Sequence, residues 1–451
     1  MNKRAIINFL FIVSFPIYGI GTYISAVKSP SLGYIVSISA PLLIIAFYAI
    51  DLLYKRQFTI KINFTYLLML VYIVSTCISL FIALGNDLPE ATSSLTITKS
   101  LLLITPFHAF IIVVLYNKNN EDQLPRLTIL SLSLLLLINL LGFFGLGLTN
   151  EVHSIEGRLN FPFLDGFYSG ASLLAIINLL LLRYLNGAWT NPLKFFSLGA
   201  FFIFNMGLFF WINSRLAILI LFLVFTLILF KAIRVKGLYA LSMCTIPILL
   251  SSGMLLYGFL QLPGVSSVFQ RVDVEDVTTF NGRSYIWQDA VDWLMYDQEG
   301  LWFGNGYKGH YFLGLISDVA KLWNVKETHH LHLHSTSLEI LVCQGVIFYS
   351  IFCLLLYKIY MFYKRKHQSS VEEGVFFPVV VFLLFILQVD TFLYDDGLGF
   401  VIFSLLASRA AITEKVNLKA GIQLKNYEVA LPYSNRVFLA HSANGLSSNN
   451  Q

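Results

Sequence analysis

Apolar residues run through this chain in long stretches with brief polar punctuation between them, and they show no strand-like alternation. Stretches of this kind, about twenty residues long, match the roughly 30 Å of hydrocarbon in a membrane. Twelve are predicted as spanning helices, near 5–26, 33–54, 63–85, 97–117, 127–149, 162–183, 194–213, 215–230, 237–261, 337–363, 374–390 and 392–409. A transmembrane barrel would instead show alternating segments of about ten residues, and none occurs. The expected fold is an all-α polytopic membrane protein. Spans one to nine fill 1–261, one large loop fills 262–336, spans ten to twelve fill 337–409, and a polar tail covers 410–451. The basic opening "MNKR" could begin a signal peptide. The apolar stretch behind it is long and ends without a clear cleavage pattern, so it is expected to stay as the first span.

Composition agrees: 57% of the 451 residues are hydrophobic and 12% charged, against about 25% charged in soluble domains. The basic residues orient the spans. With the N-terminus in the cytoplasm, fifteen Lys or Arg fall in inner segments ahead of the tail. The short outer loops hold only Lys28, Lys99, Arg158 and Arg215, as the positive-inside rule predicts. The net charge of +5 is then mostly topology, and no basic stripe suggests nucleic acid. The tail is expected in the cytoplasm and the large loop on the outer face. Cys77, Cys244, Cys343 and Cys353 all lie in apolar runs, so neither a disulfide framework nor a thiolate metal site is expected. There is no phosphate-cradling loop, which argues against coupling to ATP.

The outer loop carries the candidate chemistry. "RSYIWQDAVDWLMYD" (283–297) sets Ile286, Trp287, Ala290, Val291, Leu294 and Met295 on one side at helical spacing, so an amphipathic helix is predicted. Trp287, Trp293 and Trp302 are expected at the headgroup layer. "FGNGYKGHYF" (303–312) reads as a glycine-rich turn that lets backbone approach something closely. "HHLHLH" (329–334) holds four of the nine histidines. On an extended segment His330, His332 and His334 share a face; on a helix only His330 and His334 do. Such a cluster suits a general acid or base, solvated loop rings, or part of a metal site. No acidic or cysteine co-ligands stand beside it in sequence, so no metal is expected.

Charges near the membrane complete the set. Arg215 lies between two apolar runs, Arg283 opens the amphipathic helix, and Arg158 sits just before span six. Each has a plain alternative as a snorkelling or solvated cation. Glu339 lies one turn into span ten, where a carboxylate is expected to face the bundle and pair with a cation. Asp165, Asp390, Asp395 and Asp396 fall near outer span ends. Several arginines and a histidine at one membrane face suit an anionic lipid-linked substrate, because guanidinium groups grip phosphate oxygens and imidazole can take a proton.

In order, "NSR" at a span end, "NGRSYIWQDAV", "FGNGYKG" and "HLHSTSLEILVCQGV" resemble the bacterial O-antigen ligase and O-antigen polymerase superfamily, over roughly 158–352. The resemblance implies a GT-C-like, inverting, metal-independent glycosyltransferase of the inner membrane, with its active face periplasmic and no cofactor. The donor would be a glycan on undecaprenyl pyrophosphate. The acceptor would be a sugar hydroxyl of lipid A core for a ligase, or a lipid-linked repeat unit for a polymerase; the twelve-span layout and the "HLH" motif lean toward ligase. By motif, Arg215 and Arg283 would hold the pyrophosphate, with Arg158 as a further arginine. His334 would activate the acceptor hydroxyl, with His332 and Glu339 in support. The chain has His334-Ser335 where the family commonly has His-Asn, so an Asn contribution is absent there. A transporter or flippase of an anionic lipid-linked glycan is the rival class. The one-sided candidate site, beside one large loop, argues for an enzyme.

Overall fold

The computed structural model describes residues 3–248, 283–369 and 373–412, apart from 56–62, 87, 90, 119, 121, 149–157, 323–328, 330, 395 and 396. The fold is all-α, with no β-strand among the described residues. Eight helices are long and apolar enough to cross a membrane. These include α1 (Lys3–Val27), α2 (Pro30–Lys55), α3 (Phe64–Gly85) and α4 (Ser93–Asn117). They also include α5 (Gln123–Leu140, extended by a π-helical turn over Leu141–Gly145), α6 (Gly166–Gly187) and α7 (Pro192–Ile212). Side-chain caps fix several starts: Asn63 accepts from the Thr65 amide, Thr92 from Leu95 and Asn191 from Lys194, which satisfies donors that a helix leaves open. The shorter α8 (Arg215–Leu229) follows, then α9 (Leu238–Met243). Most of the expected ninth span, the acidic segment 272–282, His330, Asp395, Asp396 and the tail lie outside the described residues.

Beyond the large loop come α10 (Arg283–Asp292), with a π-helical turn over Trp293–Asp297, α11 (Gly309–Phe312) and α12 (Ser317–Leu322). Then follow α13 (Thr336–Ser369), α14 (Phe376–Val389) and α15 (Leu398–Ala411). Every residue of α14 and α15 is buried. At 1.5 Å per residue each is only about 21 Å long, and longer helices surround them. Hydropathy alone starts the last span near 392. The chain instead turns through Thr391–Tyr394 first, because Leu393 is held by two bonds. Its amide donates to Thr336 Oγ1 at 3.2 Å, and its carbonyl accepts from Tyr72 Oη at 3.1 Å.

The bundle has two distinct ends. At one end Lys3 pairs with Asp51, Arg4 Nε donates to Asn117 Oδ1 at 2.9 Å, and Asn63 Nδ2 donates to the Ala410 carbonyl at 2.7 Å. The starts of α6, α8 and α13 and the end of α14 gather at the other, together with α10.

The glycine-rich turn approaches α13 itself. Gly345 breaks that helix at φ 79°, ψ 173°. The groups freed there are taken up by segment 301–306. The Val346 amide donates to the Leu301 carbonyl at 2.8 Å, and the amides of Asn305 and Gly306 donate to the carbonyls of Val342 and Cys343. A Cβ on Gly345 would stand 2.5 Å from the Phe303 nitrogen and the Trp302 carbonyl. The amphipathic helix α10 is also present, but it does not put Trp287 and Trp293 at a lipid surface. Both are buried, and Ile286, Ala290 and Trp293 pack with Ile316, Leu333 and Val342 in a small core of their own. Trp302 is exposed, as expected, whereas Met295 turns outward on the π-helical turn.

Gly345→Ala is expected to lower stability by at least about 2 kcal/mol, since it combines a positive φ with a backbone clash. Gly207→Ala, in α7 with open space around it, is the matched control and should cost nothing. Thermal unfolding of both variants in detergent tests the difference.

Candidate functional site

Residues 331–335 form a strap without regular secondary structure, bent at His334, that leads into α13. Its backbone is pinned from one side at three points. The Leu331 carbonyl accepts from His310 Nε2 at 2.9 Å. The Leu333 amide donates to Glu339 Oε1 at 2.6 Å, and the Leu333 carbonyl accepts from Trp287 Nε1 at 3.1 Å. With Leu333 buried in the small core, His332 and His334 take the opposite face, their ring centroids 4.0 Å apart. The two rings thus lie side by side, but through a bend at His334 and not through a continuous extended segment.

Glu339 does face the protein, but its partner is His310, with Nδ1 3.0 Å from Oε2, rather than an arginine. His310 went unnoticed in the sequence because a single ring in a glycine-rich turn carries no periodic or spacing signal. Cys343 Sγ approaches Glu339 at 3.6 Å and accepts from the Gly309 amide at 3.3 Å. His310, Glu339 and Cys343 together offer three buried ligand atoms within 4.8 Å of one another, a geometry able to hold a metal ion. These atoms also bond one another and the strap, which makes the trio a latch for residues 331–333.

His334 is the most unusual residue in the strap. Its φ is +49°, a conformation that is uncommon for a side chain without a local reason. Its amide donates to His332 Nδ1 at 3.3 Å. Its own Nδ1 is buried with no hydrogen-bond partner among the described residues, and leaving such a group unpaired costs about 1–3 kcal/mol. Burial, then the neighbouring His332 and Arg283, hold the His334 ring well below the usual imidazole range. Burial likewise pushes His332 down to about 4, with Glu339 opposing and Lys308, His310 and Arg283 adding to the shift. Both rings are therefore neutral bases near neutral pH.

Arg283 is buried at the first residue of α10. One guanidinium nitrogen donates to the Val389 carbonyl at the end of α14. The other donates to Tyr168 Oη at 2.5 Å, and the group lies 5.0 Å from that ring. Two of five N–H donors are thus used. Beyond Val389 lies Asp390, whose carboxyl burial pushes up to about 6, against the pull of Arg283 and the Thr391 amide. The Asp390 carbonyl accepts from the Thr336 amide at 2.9 Å and hydroxyl at 2.8 Å, which ties the end of α14 to the start of α13.

The other two arginines stand further out. Arg158 lies 5.7 Å from the ring of Phe167, the residue before Tyr168. Beside it, the Leu159 amide reaches the Trp211 carbonyl at 3.4 Å. Arg215 opens α8 four residues beyond Trp211 and is exposed. The structure thus brings Arg283, His332, His334 and Glu339 together. Arg158 reaches the same end of α6, and Arg215 lies at the same end of the bundle without a contact to this group.

A family model described as O-antigen ligase matches residues 198–353. That stretch includes Arg215, Arg283, His310, His332, His334 and Glu339, and excludes Arg158. A comparison with curated proteins found no match.

Glu339→Ala removes the acceptor of a buried amide and the partner of His310 together, so it should destabilise the fold by about 1–3 kcal/mol. Glu339→Gln, which keeps an acceptor for Leu333, should lose less. Thermal unfolding that ranks the two variants equally would refute the latch.

Proposed function

We propose that this chain, whose residues 198–353 match the O-antigen ligase family model, moves a glycan from undecaprenyl pyrophosphate onto a sugar hydroxyl of lipid A core. The reaction takes place on the periplasmic face of the inner membrane. The reading rests above all on one observation: the partnerless buried Nδ1 of His334, held neutral beside a buried guanidinium. A neutral imidazole nitrogen with nothing to bond is suited to accept a proton.

In this reading the acceptor hydroxyl gives its proton to His334 Nδ1 as its oxygen bonds to the anomeric carbon of the donor sugar. The bond from that carbon to the pyrophosphate oxygen breaks on the opposite face, which inverts the anomeric configuration. Polyprenyl pyrophosphate leaves with the electron pair. Its growing negative charge is met by the unused N–H donors of Arg283, an interaction strongest in the transition state. Arg215 and Arg158, at the same end of the bundle, extend the positive field toward the phosphates. His334 then loses its proton to solvent. No metal is assigned a role in this scheme. The strap geometry set by Glu339, His310 and Trp287 orients the two histidines, and His332 contributes through its bond from the His334 amide.

His334→Ala should abolish transfer while the protein inserts at wild-type levels. Full activity at matched membrane abundance would sink the assignment. In a strain lacking the chain, the lipopolysaccharide profile and the lipid-linked glycan pool should show bare core and stranded long glycans. Core bearing a single repeat unit, without a ladder, would make the enzyme a polymerase.

The pH dependence carries a sign. Because the His334 ring is held below 6.5, its base form survives into more acidic solution than a free imidazole would. The acidic limb of the pH–rate profile should therefore lie below pH 6.5. A limb at or above that value would place the base elsewhere.

A further inference from the structure

A cavity of about 410 Å³ lies at the His334 end of the bundle, between α1–α4 and the turn that precedes α11. The arginines do not line it. Its cations are Lys99 and Lys308, and its carboxylate is Asp165. Lys99 is 7% exposed in the second turn of α4, and a buried ammonium group has to be met by polar partners or by a polar ligand. Its Nζ donates to Tyr307 Oη at 2.8 Å and lies 4.4 Å from that ring. Tyr307 cannot swing away, because its amide donates to the Ser79 carbonyl at 2.8 Å and its ring stacks on Tyr394. Lys308, at φ +60°, lines the same space and reaches the Leu331 carbonyl at 3.4 Å. Hydroxyl groups of Tyr18, Thr22 and Tyr34 add hydrogen-bonding walls of the kind a saccharide needs.

The cavity adjoins the candidate site at both margins. Lys308 touches the strap one residue before His332. Asp165 precedes α6 by one residue, three residues before the tyrosine that holds Arg283. Transfer between two lipid-anchored molecules requires two headgroup seats, and the arginine group supplies one. We infer that the cavity bounded by Lys99 and Lys308 seats the second substrate, a membrane-anchored saccharide that carries a phosphate or carboxylate group. The inference rests on the transferase reading for the word "substrate", though the binding site stands on its own geometry. Lysine ammonium groups suit a single anionic group as point charges, whereas the bidentate grip of arginine suits a pyrophosphate.

The test uses the full-length protein in nanodiscs of zwitterionic lipid, with native mass spectrometry to read binding of bisphosphorylated lipid A and, separately, of phosphatidylglycerol. Lys99→Gln and Lys308→Gln should each weaken lipid A binding by at least about tenfold, with Arg126→Gln, at an exposed arginine outside both sites, within about twofold of wild type. Phosphatidylglycerol binding should be the same in all four proteins. Lys308 lies outside the spanning helices, so its variant decides the matter even if Lys99→Gln fails to fold. Unaltered lipid A binding in Lys308→Gln, no binding by wild type, or an equal loss of phosphatidylglycerol would overturn the inference. If wild type shows no glycan transfer yet lipid A binding still depends on the lysines, the transferase reading fails and the site stands. If transfer proceeds and the acceptor KM is unchanged in Lys308→Gln, the site fails alone.

Discussion

A carboxylate one turn inside a membrane-grade helix has to be satisfied by the protein around it, because lipid offers no donors and burial excludes water. Glu339 is that carboxylate, and the arrangement of its end of the bundle follows from how it is satisfied. One oxygen takes the Leu333 amide and the other meets His310. The first bond folds the strap back over the helix it leads into. The second anchors α11, and through it the glycine-rich turn, to the same point. With Trp287 holding the Leu333 carbonyl, residues from three separated segments define one short stretch of backbone. With Leu333 turned into the small core, the rings of His332 and His334 are left side by side.

The break in α13 serves the same end. A continuous helix would leave no free carbonyls at Val342 and Cys343 and no free amides at Val346 and Ile347. Gly345 opens the ladder, and segment 301–306 closes it again with its own backbone. A loop that would otherwise rest on lipid is thereby bonded into the helix that carries the candidate site. The resulting rigidity suits a site in which a ring nitrogen and a guanidinium must face the same small volume.

The division of cations has a consequence for the proposed chemistry. Arg283 is fastened by Tyr168 and the Val389 carbonyl with donors to spare, whereas Lys99 and Lys308 stand around a separate cavity on the α1–α4 side. Two cation groups of differing chemistry at one end of the bundle are what the proposed transfer between two anionic lipids would use.

Much of the architecture was legible along the chain, because hydrocarbon thickness acts on composition within a single run of residues. Spans one to seven and ten, the amphipathic helix at 283 and the close approach of the glycine-rich turn all followed from local pattern. So did the candidacy of Arg283, His332, His334 and Glu339, since rare polar residues stand out against an apolar background. Tertiary contacts alone decided the rest. Glu339 chose His310 over an arginine, Trp287 and Trp293 went inward, and Thr391–Tyr394 turned before the last helix. The partner of a buried charge, and the side of a helix that meets protein instead of lipid, depend on residues far apart in sequence. Lipid and protein interiors are equally apolar, so hydropathy cannot tell them apart; only the packed fold, which has to satisfy each buried donor and acceptor, does.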